Sequence, residues 1–322
     1  MAADSKDCNT NVNALPVVDL SGLVFSGPGS IEWKQAQKKV EWALMNYGGF
    51  DAIYNHIGSD VVDGLFDKVV PETVKNMEKI SDASALPTSG WLIFGDFAFN
   101  GLHIYNPDSL SSLEDYAKTV WPQGNSLFCN TVCNYAKHMK DMTQIIHKMI
   151  LDSLNLEEVY DSHINSVAYS LRFTEYFNDM SIGKKKIGIP PHVDANYINI
   201  INQYEVEGLE VEASNGEWIH VPAVPNTFTI LLGETFAAFT NGIFKAPKHQ
   251  VKMDNSRKRY SVIFTSFPSY NSDVIKSPDK LVDESHPLIY KPFNYYEYLK
   301  LRFTNQDTEG DLKTYFGIET KG

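Results

Sequence analysis

His192-Val193-Asp194-Ala195-Asn196-Tyr197-Ile198-Asn199-Ile200-Ile201-Asn202-Gln203 is the stretch on which the reading of this chain turns. Its second half, Asn196 to Gln203, reads as one of a series of short strands with a period of two. Its first half sets two metal-ligand types one residue apart. The period of two in a strand would point His192 and Asp194 to one side, with Val193 facing away. His249 lies far enough downstream for several strands to return, and Arg259-Tyr260-Ser261 follows it. Two imidazoles and one carboxylate can occupy one face of a non-haem Fe(II) ion and leave its other positions open. Arg259 is permanently charged and forks two N–H groups onto a carboxylate, and Ser261 presents a hydroxyl on the same side of a strand. The pattern predicts a metal site, His192, Asp194 and His249, beside an anion site for the far carboxylate of a dicarboxylic co-substrate. Each motif alone is a weak signal; their order and strand context together carry the reading.

Working outward, short strands are expected after Ser166: Val167 to Tyr176, Lys186 to Gly188, Asn196 to Gln203, Leu209 to Glu212, Trp218 to Val221, Thr227 to Leu232, Gln250 to Met253 and Tyr260 to Phe267. Turn residues separate them at Asn178-Asp179, Asn215-Gly216, Pro225-Asn226 and Asn241-Gly242. Many close-spaced strands point to a double-stranded β-helix, or jelly roll, which brings a strand-borne H-x-D and a later His to one mouth. Upstream, Leu15 to Leu20 and Phe50 to Tyr54 read as strands. Ser30 caps a helix to about Met45, and Asp60 to Lys68 and Glu72 to Ile80 read as two helices, the second opened by Pro71. Asp82 to Asp108 is aromatic-rich without clear period, and Asn125 to Leu154 is one long helix expected to carry no chemistry. The fold class expected is α+β, mainly β: a cupin-like jelly-roll core with a helical N-terminal lobe. Its parts are a disordered 1–14, an α/β lobe 15–110, a helical segment 111–164, the core 165–270 and a helical C-terminal segment 271–322.

With 28 Lys and Arg against 40 Asp and Glu, the formal charge of −12 argues against nucleic acid or an anionic membrane as partner. Met1 to Asn13 resembles neither a signal nor a transit peptide, and no run is long enough to span a membrane. A cytoplasmic monomer acting on a small molecule is expected. Cys8, Cys129 and Cys133 make no disulfide framework and read as reduced packing residues.

These residues resemble the plant-type Fe(II)/2-oxoglutarate-dependent dioxygenases. The resemblance covers most of the chain, from Leu15-Pro16-Val17-Val18-Asp19-Leu20 and Gly48-Gly49-Phe50 through the motif residues to Leu312-Lys313-Thr314-Tyr315-Phe316-Gly317-Ile318. Tyr204 to Val211, Gly216-Glu217-Trp218-Ile219, and His286-Pro287 through Phe293 are most similar to the group containing the glucosinolate side-chain dioxygenases. It implies Fe(II), 2-oxoglutarate and O₂, with ascorbate as reductant and succinate and CO₂ released. It further implies that Arg259 and Ser261, with Tyr176, hold the co-substrate. Three departures stand out. Thr174-Glu175-Tyr176-Phe177-Asn178 replaces N-Y-Y-P-P, Gly233-Glu234 replaces Gly-Asp, and Gln250 stands where relatives often have Arg.

The expected reaction is oxidation, by default hydroxylation, of a plant specialised metabolite such as an alkaloid or steroidal compound; demethylation, desaturation and ring closure share its first step. Asp194 leaves no ligand position vacant for halide, which argues against a halogenase. Candidate substrate contacts are Phe97, Phe99, Arg172, Tyr197, Phe239, Thr265 and Phe267, an aromatic-rich set suited to a bulky apolar molecule. The alternatives are an Fe(II) oxidase of the same fold that uses no 2-oxoglutarate, an auxin or gibberellin oxidase, and a binding protein without turnover.

Overall fold

The computed structural model describes residues 14–23, 27–77, 91–93, 99–176, 187–253, 257–272, 274–304 and 311–318. Among them, the strands are β1 (Val17–Asp19), β2 (Gly49–Ile53), β3 (Trp91–Ile93), β4 (Phe99–Tyr105), β5 (Val167–Tyr176), β6 (Ile187–His192), β7 (Ile198–Asn202), β8 (Leu209–Glu212), β9 (Trp218–His220), β10 (Thr227–Leu232), β11 (His249–Lys252) and β12 (Arg259–Pro268). The larger sheet runs β1-β2-β10-β7-β12-β5-β4-β3 and the smaller β6-β11-β8-β9. Only β1 and β2 pair in parallel.

Alternation along β5 and β12 creates the layers. Leu171, Phe173, Val262 and Phe264 turn to one side and share a core with Trp33, Val40, Met139, Met142 and Ile146. Those partners come from the helices Ile31–Asn46 and Ser126–Ser153. On the opposite face Ile201, Leu231 and Ile263 meet Leu209, Val211 and Ile219 of the smaller sheet, while Tyr176 packs on Val251 and Met253. Burying side chains of this size contributes roughly 1.5–3 kcal/mol each, so β5 and β12 are held from both faces. The result is a jelly-roll core with helices on the outer face of its larger sheet. Between the sheets, the inward positions not filled by apolar residues carry Arg172, Thr174, Arg259, Ser261 and Thr265.

Local chemistry sets the helix ends. Ser30 Oγ accepts from Trp33 N at 3.0 Å, and Asn125 Oδ1 accepts from Phe128 N at 2.9 Å, each satisfying an otherwise orphaned amide. No described helix is long and apolar enough to cross a membrane. Cys129 and Cys133 are buried free thiols.

Four expectations need correction. Helices Ser59–Gly64 and Val70–Met77 are not separate: a π turn at Leu65–Val69 joins them, and Pro71 lies inside the run. Proline lacks an N–H and crowds the carbonyl four residues back, and the wider turn, in which Val70 N–H reaches Leu65 O, absorbs that conflict. The aromatic segment is not irregular where described. β3 and β4 form a hairpin that extends the larger sheet, with His103 opposite Arg172 and Tyr105 opposite Ser170. β6 continues through Pro190 and Pro191 to His192, which an edge strand permits because its outer side needs no N–H donors. Finally, Asp194 is not on a strand: β6 ends at His192, and the carboxylate stands in the turn that follows. The polar N-terminus 1–13, Cys8, Phe97 and the Asn178-Asp179 turn lie outside the described residues.

Candidate metal and co-substrate site

His192 at the end of β6 pairs directly with His249 at the start of β11, so strand register alone brings the two rings to 4.2 Å between centroids. Each ring is oriented by a carbonyl two residues earlier: His192 Nδ1 lies 2.8 Å from Pro190 O and His249 Nδ1 lies 3.2 Å from Pro247 O. With Nδ1 donating, both Nε2 lone pairs face inward. Asp194 completes the set, its Oδ1 3.5 Å from His192 Nε2 and its Oδ2 3.2 Å from His249 Nε2. One donor atom from each residue lies within 4.8 Å of the others, the grouping of His, Cys, Asp and Glu that could hold a metal ion among the described residues. Burial would raise the Asp194 carboxyl, but the two imidazoles overcome it and hold the group well below the ordinary carboxylate range. Burial, then His249, lowers His192, which favours a neutral His192 ring beside the ionised acid, as a divalent metal needs.

A turn without ladder bonds must be held in other ways. Asn199 Nδ2 donates to Asp194 Oδ2, while Asn199 Oδ1 accepts from Thr265 Oγ1 and from Asn196 Nδ2 at 2.9 Å. Two donors on Oδ1 fix the amide so that only Nδ2 can face the acid. Glu234 N donates to Asp194 O at 2.8 Å, and Arg302 donates to Val193 O at 2.6 Å. Glu234 in turn accepts from Arg302 at 2.8 Å, from the Leu312 amide at 2.9 Å and from the Tyr298 hydroxyl. The Glu234 that replaces the family's aspartate thus clamps the C-terminal helices Tyr295–Thr304 and Leu312–Phe316 to the loop carrying Asp194.

Arg259 and Ser261 line the same cavity as His192 and His249, together with Arg172, Tyr176 and Ile263. Arg259 is 1% exposed. Its Nε donates to Val206 O at 3.1 Å, one terminal nitrogen donates to Gln203 Oε1 at 3.0 Å, and its guanidinium lies 4.5 Å from the centre of the Tyr176 ring. The other terminal nitrogen and Ser261 Oγ are buried without any partner. Unpaired buried donors are costly, so this pair fits a carboxylate that completes it. Two glycines make the close packing possible. A Cβ on Gly208 would stand 2.7 Å from Lys252 O and 3.1 Å from Arg259 Nε, and one on Gly188 would stand 2.8 Å from the Tyr176 ring.

The other expected contacts divide. Arg172 lines the cavity. Phe267 is at the far end of the same β12 face, stacked on Tyr295 at 6.3 Å and edge-on to Tyr105 at 6.2 Å. Thr265 is on that face too, but its hydroxyl is committed to Asn199. Tyr197 and Phe239 instead pack around the buried His147–His163 pair, away from the cavity. Phe99 is described only as the β4 residue opposite Tyr176. Gln250 bonds Glu210 at 2.7 Å rather than the metal set. Asn199, Gln203 and Arg302 are functional candidates that the sequence reading missed. Asn199 had a signal, as a polar residue on the inward side of an apolar strand; the other two act through contacts that no local pattern announces.

Residues 162–268 match the model of the 2OG-Fe(II) oxygenase superfamily. The chain is 30% identical over 297 residues to a probable 2-oxoglutarate-dependent dioxygenase, AOP1.2, of Arabidopsis thaliana, covering 88% of this chain and 89% of that one. It is 24% identical over 383 residues to the 2-oxoglutarate-dependent dioxygenase AOP3 of the same plant, covering 87% and 91%. Among solved structures, a rice dioxygenase for auxin oxidation superposes with a TM-score of 0.78 at 20% identity, over 94% of this chain and all (100%) of that one. JOX2, solved with 2OG, Fe and JA, gives 0.70 at 17%, over 89% and 84%. With that identity across nearly the whole length, and an inward-facing His-Asp-His set in the jelly roll, the chain belongs to the AOP-like 2-oxoglutarate-dependent dioxygenases and is an oxidoreductase of the 2OG-Fe(II) oxygenase superfamily.

Proposed function

We propose that His192, Asp194 and His249 hold the ferrous ion, that Arg259 and Ser261 bind the distal carboxylate of 2-oxoglutarate against the Tyr176 ring, and that a small organic metabolite is oxidised beside them, by default through hydroxylation. The observation that carries this reading is the pair of unsatisfied donors, one on Arg259 and one on Ser261, buried in the cavity of the two histidines. Bound at the triad, iron supplies the site at which O₂ oxidises a substrate C–H bond while 2-oxoglutarate becomes succinate and CO₂. The chain's own residues do the rest. Pro190 and Pro247 carbonyls fix the imidazole tautomers, Asn199 and Thr265 aim Asp194, and Gln203 and Val206 hold Arg259 with one fork free. Phe267, Tyr295 and Tyr105 supply an aromatic wall for the substrate skeleton.

The resemblance points to specialised metabolites of alkaloid or steroidal type as substrates. The test is succinate release by anaerobically iron-loaded protein given 2-oxoglutarate, ascorbate and O₂ with such a panel. Succinate that rises with one compound supports the reading. Protein that binds iron and 2-oxoglutarate yet shows no stimulation by any compound of a broad panel would count for a binding protein instead.

A further inference from the structure

Arg172 sits mid-strand on β5, opposite Ile263 of β12 on one side and His103 of β4 on the other. Neighbouring Leu171 and Phe173 belong to the helix-side core, so Arg172 faces the other way, into the cavity shared by His192, His249, Arg259 and Ser261. Its Nε is buried without a partner. Among the described residues it has neither a hydrogen bond nor an ion pair. Arginine cannot shed its proton to relieve this. His103 offers no counter-charge, because burial first and Arg172 second lower its pKa to about 3 and leave the ring neutral. The nearest acid on β5, Glu175, points to the outer face and is committed to Lys258 and Tyr260.

Among the described residues, the charges of the loaded site leave one cation without a counter-charge. The two positive charges of a ferrous ion cancel the two negative charges of 2-oxoglutarate, and Asp194 cancels Arg259. None of the described residues lining the cavity is acidic, so among them Arg172 is the cation left over. The co-substrate cannot serve it, because one carboxylate goes to Arg259 and the other to the metal. Arg172 is partly buried with its Nε wholly so, and a cation in such a place is favoured when it is paired.

We propose that Arg172, across from His103, binds a carboxylate of the organic substrate, so that this enzyme oxidises a small organic acid whose skeleton lies against Phe267 and Tyr295. The proposal rests on the reading of the site given above and narrows it: an acid is drawn in, and the ammonium group of a basic alkaloid is repelled.

A plant metabolite extract separated at neutral pH by anion exchange into retained and unretained pools tests this, with 2-oxoglutarate-dependent succinate release as the readout. The retained pool should stimulate the wild-type enzyme, and methylating the carboxylate of its purified active component should abolish the effect. Arg172→Met should raise the KM for that acid by roughly 10- to 100-fold, the scale of a lost hydrogen bond to a charged group, with partial recovery in Arg172→Lys. Anaerobic 2-oxoglutarate binding to Arg172→Met should stay within about twofold of wild type, which also shows that the variant is folded. Stimulation confined to the unretained pool, or an unchanged KM for the acid in Arg172→Met, would overturn the proposal. So would weakened 2-oxoglutarate binding, which would assign the arginine to the co-substrate. If no pool stimulates protein that binds 2-oxoglutarate, the turnover reading itself fails and takes the proposal with it.

Discussion

Gln203→Glu separates charge from shape at the co-substrate site. Arg259 is held by two neutral acceptors, Gln203 Oε1 at 3.0 Å and Val206 O at 3.1 Å, so its full charge is left for a ligand. Glutamate at 203 keeps an acceptor for Arg259 and for the Leu209 amide, which Gln203 Oε1 accepts from at 2.9 Å. It loses the donation to Val221 O at 3.1 Å, a cost of about 1 kcal/mol that the new ion pair offsets. Stability should therefore change little. Binding should not escape, because the new carboxylate and that of 2-oxoglutarate would face each other across the guanidinium. At a separation of about 7 Å and an effective dielectric of about 20 their repulsion is roughly 2 kcal/mol, or about thirtyfold in Kd. The assay is an anaerobic titration of the Fe(II) protein with 2-oxoglutarate, followed by the charge-transfer absorption of the chelate, beside a thermal melt. A Kd within twofold of wild type at unchanged melting temperature would show that Arg259 does not carry the co-substrate's charge.

His192→Ala should abolish metal-dependent succinate release and the chelate absorption together; near wild-type turnover would remove the triad from the mechanism. Arg302→Gln strips one partner from buried Glu234 and from Val193 O, and should cost about 2–3 kcal/mol. That is roughly 3–4 °C in melting temperature for a chain of this size, with weaker Co(II) binding measured by calorimetry. Asp51 is 6% exposed, and burial, against the lowering effect of the Thr229 hydroxyl, pushes its pKa up to about 6 from an ordinary 3.8. The folded chain thus holds this proton more tightly than the unfolded chain. The stabilisation is fully present below about pH 4 and lost as pH rises through 6, about 3 kcal/mol in all. Asp51→Asn, which keeps an acceptor for Thr229, should therefore gain on wild type as pH rises from 4 to 7.5 in denaturant unfolding, and a pH-independent difference would contradict the assignment.

The jelly roll was legible because β5, β8 and β10 have strong two-residue alternation or β-branched runs between turn residues, and their bounds match the reading. The grouping of His192, Asp194 and His249 was legible by residue type, yet for a partly mistaken reason. Asp194 faces His192 because Asn199 and the Glu234 amide aim it, not because a strand continues. The β4 strand escaped notice because Gly101 interrupts it and because Leu102 and Ile104 on one face alternate with His103 and Tyr105 on the other, leaving little polarity contrast. Tyr197 and Phe239 were taken for pocket walls because nothing local reveals that His147, on a helix expected to be inert, reaches across to bond His163 at 2.8 Å and Ser266 at 3.1 Å and gathers those aromatics around itself. Long-range hydrogen bonds of this kind leave no periodic trace.

The clamp from Arg302 to Val193 O spans 109 positions of sequence. During synthesis the segment bearing His192, Asp194 and His249 emerges before the helix that steadies its loop. A chain cut before Arg302 would carry His192, Asp194 and His249 and still lack the donor that steadies Val193 O, so the candidate metal loop depends on a helix far from it in sequence.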